Sequence, residues 1–251
     1  MNLIAGINPA VRLAMMVVWT TPLLLSVDWV SASISLVLTV LLAPLCGMNW
    51  LRLTKVAWPL FLIAPLSGLS MLLYGRPGGE EYFSFWLATV TDNSIELAIG
   101  MTVRVLAVAL PVIVLARDID PTELGDALAQ VVRLPARFVI GAMAGARMAM
   151  LFRNDWESLA RARRARGLGD RNKIAHLLSM SFGILVMAIR RGGKLATAME
   201  ARGFGRTKGR TWARESRLSI RDGWVLLATC FLTAVPVVTS IATGWWRFLG
   251  L

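Results

Sequence analysis

Residues 95–116 read IELAIGMTVRVLAVALPVIVLA, from Ile95 to Ala116, an apolar run that carries charge only at Glu96 and Arg104. A helix rises about 1.5 Å per residue, so these 22 residues reach about 33 Å, enough to cross a hydrocarbon core of about 30 Å. A helix satisfies its backbone groups internally, which is what residence in lipid demands. Working outward, Val56 to Tyr74 and Trp224 to Trp245 repeat the pattern. Two shorter runs, Leu13 to Val27 and Val30 to Gly47, flank Asp28 and Trp29 and predict a tight helical hairpin that borrows flanking residues or sits in a thinned region. Pro22, Pro44, Pro59, Pro65, Pro111 and Pro236 lie within these runs, where neighbouring helices can satisfy the freed carbonyls. The fold class expected is an all-α polytopic membrane protein of about five transmembrane helices.

Composition agrees: the chain is 56% hydrophobic and only 17% charged. Its charge is unevenly spread. The net charge is 27 − 15 = +12, and 21 of the Lys and Arg with 10 of the acids fall between Arg117 and Asp222. The chain therefore divides into four N-terminal spans over 1–117, a cytoplasmic or interfacial region of long helices over 118–222, and a last span over 223–251. A basic region beside a membrane suits lipid headgroups or an acidic protein surface better than nucleic acid. Arg12, then Arg52 with Lys55, then the basic region share one side if the N-terminus is cytoplasmic. The loop from Gly75 to Ser94, with Glu80, Glu81 and Asp92 against Arg76, then lies outside; Arg247 runs against this scheme. The start of the chain lacks a basic n-region and a small-residue cleavage site, so no removable signal peptide is expected. Cys46 and Cys230 sit in apolar surroundings and read as small hydrophobes, and the single histidine, His176, is assigned no role.

Within the basic region, Asp120-Pro121-Thr122-Glu123 is a helix start, with an Asp cap, Pro in the first position and an acid in the first turn. This helix is expected to reach about Arg133. Leu134-Pro135 resets the chain, and Phe138 to Arg166 reads as one long helix, starting apolar and ending charged. Lys173 to Arg202 repeats the plan. Its apolar core, Leu177 to Ile189, is 13 residues, below the roughly 17 that a span needs, so it is expected to lie against the membrane helices and is not counted as a span.

Both long helices end alike, in Ala165-Arg166-Gly167-Leu168-Gly169 and Ala201-Arg202-Gly203-Phe204-Gly205, at an offset of 202 − 166 = 36 residues. Glycine after the last helical residue and arginine in the last turn are ordinary helix-end chemistry, but the matched pair also points to a shared docking role. Small residues recur every fourth position, as Gly141, Gly145 and Ala149, and as Ala188, Gly192 and Ala196. Each set shares a helix face, and such faces allow close approach, so the two helices are expected to cross. Arg161, Arg163 and Arg164 are expected to meet lipid phosphate or solvent. Arg104 is a costly charge at mid-span, either paired, with Glu96 two turns earlier as the nearest candidate, or active in coupling.

With these signatures the chain resembles, over nearly its whole length, the T component of energy-coupling factor transporters, the family of the biotin, cobalt and multi-vitamin coupling subunits. Asn8-Pro9 with Arg12-Leu13, and Thr122-Glu123-Leu124 through Leu134-Pro135, are further likenesses. The resemblance implies two crossing coupling helices, each closing on an Ala-Arg-Gly signature, here Ala165 to Gly167 and Ala201 to Gly203. It implies that Arg166 and Arg202 each enter a groove on one of two ATP-binding-cassette ATPases and meet an acid. It also implies that the apolar part of the coupling helices holds a substrate-binding S component that carries a vitamin or a metal ion, in the cell membrane of a prokaryote. The chain has no nucleotide-binding motif, so no cofactor is expected in it, and ATP and Mg belong to the partner ATPases. Two other readings stay open: a membrane enzyme of lipid metabolism, for which Asp170 lacks companion acids at four-residue spacing, and a module that binds anionic lipid with any basic residues.

Overall fold

The computed structural model describes residues 3–26, 28–75, 78–85, 88–167, 173–204 and 212–246. Leu168, Gly169 and Gly205 of the repeated signature lie outside these residues, as do Val27, Arg76, Asp170 and Arg247. The chain runs α1 (Pro9–Leu25), α2 (Trp29–Leu42), α3 (Trp50–Tyr74), β1 (Glu81–Phe85), β2 (Ala88–Thr91), α4 (Asp92–Ala116), α5 (Pro121–Gln130), α6 (Ala136–Ala165), α7 (Lys173–Ala201) and α8 (Ile220–Ala242). It divides into two units, Met1–Ile119 with Arg217–Leu251, and Asp120–Ser216.

In the first unit, side-chain caps start α1, α2, α4 and α8. Asn8 Oδ1 accepts from the Ala10 N–H at 3.0 Å, with Pro9 in the first position, and Asp28 accepts from the Ser31 N–H at 2.7 Å. Thr91 with Ser94, and Ser219 with Asp222, form capping boxes. Asp222 also accepts from the Asn8 N–H at 3.1 Å, tying the start of α8 to the start of α1. The central helix is α4, against which α1, α2 and α3 all pack. Gly68 lets α3 approach so closely that a side chain there would collide with Thr102 of α4. The core joins Ile7, Val11 and Met15 to Leu53, Ala57, Leu110 and Val114. Outward faces remain apolar, with Trp58, Leu62 and Leu66 more than 60% exposed, as lipid contact requires.

The spans differ from expectation in three places. By length and hydropathy the membrane-spanning candidates among the described residues are α3, α4, Ile174–Ala201 of α7, and α8, while α1 and α2 are shorter apolar helices of 17 and 14 residues. Helix α7, which is not counted as a span, qualifies by length and composition alone over Ile174–Ala201, and it runs unbroken from Lys173 to Ala201 as its sequence predicts. Pro44 is not inside a helix, because α2 ends at Leu42 and the chain turns before Gly47, whose φ is +78°. The expected outer loop contains the antiparallel hairpin β1–β2, pairing Phe83 with Val90 and Phe85 with Ala88, a stretch rich in residues that favour strands.

The second unit begins as its sequence predicts. Asp120 accepts from the Thr122 N–H at 2.7 Å, and that bond holds its carboxyl below the usual aspartate value. Helix α5 stops at Gln130, three residues short of the expected Arg133, which instead adopts a left-handed φ of 60° in the turn before Pro135. Gly125 admits Met143 of α6, whose side chain occupies the space a Cβ would take.

Candidate docking site

Helices α6 and α7 end in the same geometry. In α6 the N–H of Arg166 reaches the Ala162 and Arg163 carbonyls, and the N–H of Gly167 donates to Arg164 O at 3.0 Å with φ at +69°. In α7 the N–H of Gly203, φ +78°, donates to Glu200 O at 2.8 Å and that of Phe204 to Met199 O at 2.9 Å. This bond pair closes the helix with a left-handed residue, where glycine escapes the clash a Cβ would suffer. The cap turns the backbone away immediately after the arginine. Arg166 and Arg202 are therefore left exposed, and among the described residues neither side chain makes an ion pair. Ala165 and Ala201, the last helical residues, are exposed beside them.

Apart from Arg163, the crossing of α6 and α7 is built from residues the sequence reading did not single out. Arg191 makes a two-pronged ion pair with Asp155, at 2.6 and 3.3 Å. A Cβ on Gly183 would sit 3.1 Å from a methyl of Leu159, so that glycine seats the leucine. Arg163 donates to the Ser179 hydroxyl at 2.7 Å and to its carbonyl at 3.2 Å. As α6 advances through 155, 159 and 163, its partners step back through 191, 183 and 179, so the helices run antiparallel. The signatures then lie on opposite sides of the ion pair. Each arginine is eleven residues beyond it (166 − 155 and 202 − 191), about 16 Å along its helix.

Two expectations are corrected here. The small residues do not line the crossing: Gly141, Gly145 and Gly192 have nothing within 4 Å of a built Cβ among the described residues, and Gly141, Gly145, Ala149, Gly192 and Ala196 are exposed, with Ala188 half-buried. On α7 the reason is geometric, since Ala188, Gly192 and Ala196 continue the face of Ile174, Leu178, Phe182, Leu185 and Ile189, opposite the one that carries Ser179, Gly183 and Arg191. On α6 the small set lies at the far end of the helix, short of the crossing. Arg163 is not left to solvent or lipid, because the crossing itself uses it. The signal that was available is the repeat: Asp155 and Arg191 are separated by 191 − 155 = 36 residues, the same offset as the two signatures.

The apolar face of α7 is broad. Ile174, Leu178, Phe182, Leu185 and Ile189 are between 54% and 71% exposed, a continuous stripe of the kind that marks a protein or membrane contact. In the first unit, Arg104 is 9% exposed and donates to the Leu23 carbonyl, one of the last in α1, so its charge caps a helix end. Its expected pairing with Glu96 is not made among the described residues. Asp28, buried near it, accepts from the hydroxyls of Ser26, Ser31 and Ser240.

Comparison with known proteins bears on what such an arrangement serves. The family model "CbiQ: Cobalt transport protein" matches residues 1–212. The chain is 24% identical over 252 residues to the energy-coupling factor transporter transmembrane protein EcfT of Brevibacillus brevis, covering 96% of this chain and 92% of that one. It is 23% identical to EcfT of Lactococcus lactis, covering 95% and 94%, and 25% identical to EcfT of Exiguobacterium sibiricum over 67% and 68%. A multi-pass membrane protein with two signature-tipped helices, matched by that model over most of its length, belongs to the CbiQ family of transmembrane T components of energy-coupling factor transporters.

Proposed function

We propose that this chain is the coupling subunit of an ATP-driven importer, passing the motion of two ATP-binding-cassette ATPases to a substrate-binding S component that carries a vitamin or a metal ion. The observation that supports it is the pair of exposed arginines, each set before a left-handed glycine, at opposite ends of an ion-paired crossing. A guanidinium held this way makes a bidentate, charge-assisted pair with a carboxylate in a partner's groove. Two tips pointing in opposite senses suit two ATPases. ATP and Mg reside in those partners. Closing of the ATPases moves the tips toward each other, and the Asp155–Arg191 crossing converts that movement into a tilt of the α7 face. The S component sits on that face, with Ala188, Gly192 and Ala196 giving close approach beside the apolar stripe, and with Gly141, Gly145 and Ala149 extending the small surface on α6. The N-terminus and the basic second unit lie in the cytoplasm.

The test is purification of the tagged chain with its ATPases in mild detergent, and uptake in cells. Arg166→Glu with Arg202→Glu should abolish both co-purification and uptake, since a truncated or reversed charge in a desolvated groove costs about 2 kcal/mol or more. Arg166→Lys and Arg202→Lys should each weaken recovery severalfold, because an ammonium cannot reproduce the fork. Full uptake by the double Glu variant would sink the mechanism, and equal activity of Lys and Arg would favour a simple anionic-lipid contact.

A further inference from the structure

Among α1, α2, α4 and α8 of the first unit lies a cavity of about 310 Å³, lined by Met15, Leu42, Val114, Trp224, Ala228 and Leu232 among others. That volume is at the lower end of ligand pockets. The hydroxyls and the buried indole that reach it are already engaged. Thr39 Oγ1 donates to Ser35 O and Thr229 Oγ1 to Val225 O, both at 2.8 Å, and Trp19 Nε1 donates to Ser35 Oγ at 3.0 Å. What remains is an apolar surface that gives water no partners. Ala228 and Trp224 are exposed on its wall, so the cavity opens outward between helices that face lipid.

Leu3 and Cys46 form one end of the cavity, and cations gather there. Arg221, itself exposed, donates to the Leu3 carbonyl at 3.1 Å. Arg117 donates to Gly47 O at 2.8 Å, next to Cys46, and Arg12 donates to Arg117 O. The Nε of Arg12 is buried without a hydrogen-bond partner among the described residues. Of the neighbouring acids, Asp118 pairs with Arg117 at 3.0 Å, and Asp222 is buried on the Asn8 and Ser219 backbones. The end is left net positive. A partner helix, about 10 Å across, is too thick for this volume, whereas a single hydrocarbon chain is not.

We infer that this cavity binds one acyl chain of an anionic membrane phospholipid, with the lipid phosphate at Arg221. The site belongs to the membrane unit and does not depend on the docking of ATPases. Trp224, an indole exposed at the mouth, suits the headgroup level, where aromatic side chains collect. The bound chain fills the space between α1 and α8 that side chains leave open, restoring dispersion contacts the walls otherwise lack.

Native mass spectrometry of the full chain, stripped of lipid in detergent and titrated with palmitoyl-oleoyl phosphatidylglycerol or the corresponding phosphatidylcholine, tests the site. The chain should retain one phosphatidylglycerol, bound about fivefold or more tightly than phosphatidylcholine, the preference one arginine near a headgroup supplies. Ala228→Trp, placed at an exposed wall position, should remove that lipid, and Arg221→Ser should bring phosphatidylglycerol down to the phosphatidylcholine level. Equal binding of the two lipids by the unaltered chain overturns the inference, as does a chain that retains no single lipid. Unchanged binding in a monodisperse Ala228→Trp protein does the same. If that variant does not fold, the comparison of the two lipids on the unaltered chain and on Arg221→Ser still decides.

Discussion

Asp155 and Arg191 occupy equivalent positions in the two repeats, and their ion pair is the strongest polar contact at the crossing. The side chains are 21% and 39% exposed, so water screens them, and the pair is worth about 1 kcal/mol. A double-mutant cycle of Asp155→Ala and Arg191→Ala, read by thermal unfolding of the full chain in detergent, should return coupling of about that size. Strictly additive effects would place the crossing's stability elsewhere. Arg104 is in a different situation, since its charge is buried and meets both the Leu23 carbonyl and the field of Asp28. Arg104→Met should lower stability by about 1–3 kcal/mol, because it strands the Leu23 carbonyl and removes the positive charge near Asp28. A loss below about 0.5 kcal/mol would show that Arg104 serves only function. That a mid-span arginine demands a partner could be read from the sequence. Its partner could not, because Glu96 is visible by helical spacing whereas Leu23 is 81 residues away.

Helix ends and helix faces carried different amounts of information. The caps at Asp120, Gly167 and Gly203 are local chemistry, in which a side-chain oxygen or a missing Cβ acts within four residues. They were therefore legible before any packing was known. The face of a helix that meets a neighbour depends on what lies across from it. Four-residue spacing identified the small stripes correctly as faces but could not say whether each faces a helix of this chain or a surface left open. The structure leaves them open and assigns the crossing to Gly183 and Leu159. Gly183→Leu should therefore force α6 and α7 apart, lowering stability by about 1–3 kcal/mol by overpacking and reducing uptake with the arginine tips intact. Gly192→Leu, built into open space, should leave thermal unfolding nearly unchanged while impairing recovery of the S component. Equal destabilisation by both substitutions would mean the crossing lies elsewhere.

For the whole molecule, charge asymmetry predicts orientation. With Cys46 and Cys230 replaced by Ser, a membrane-impermeant thiol reagent should label Glu80→Cys in intact cells and Ser158→Cys only after permeabilisation. The reverse pattern would invert the topology and remove the cytoplasmic ATPases from reach of Arg166 and Arg202. Hydropathy over twenty residues, the clustering of arginine between Arg117 and Asp222, and the duplicated Ala-Arg-Gly ends are properties of the chain in order. They were enough to read a helical membrane protein, its basic region and the two helix ends that carry Arg166 and Arg202. Three features needed the tertiary structure: the exposure of the apolar stripe on α7, the antiparallel crossing at Asp155–Arg191, and the apolar cavity among α1, α2, α4 and α8. Each arises from groups that are distant along the chain and close in space, and periodicity within one helix says nothing about which second helix will be set against it.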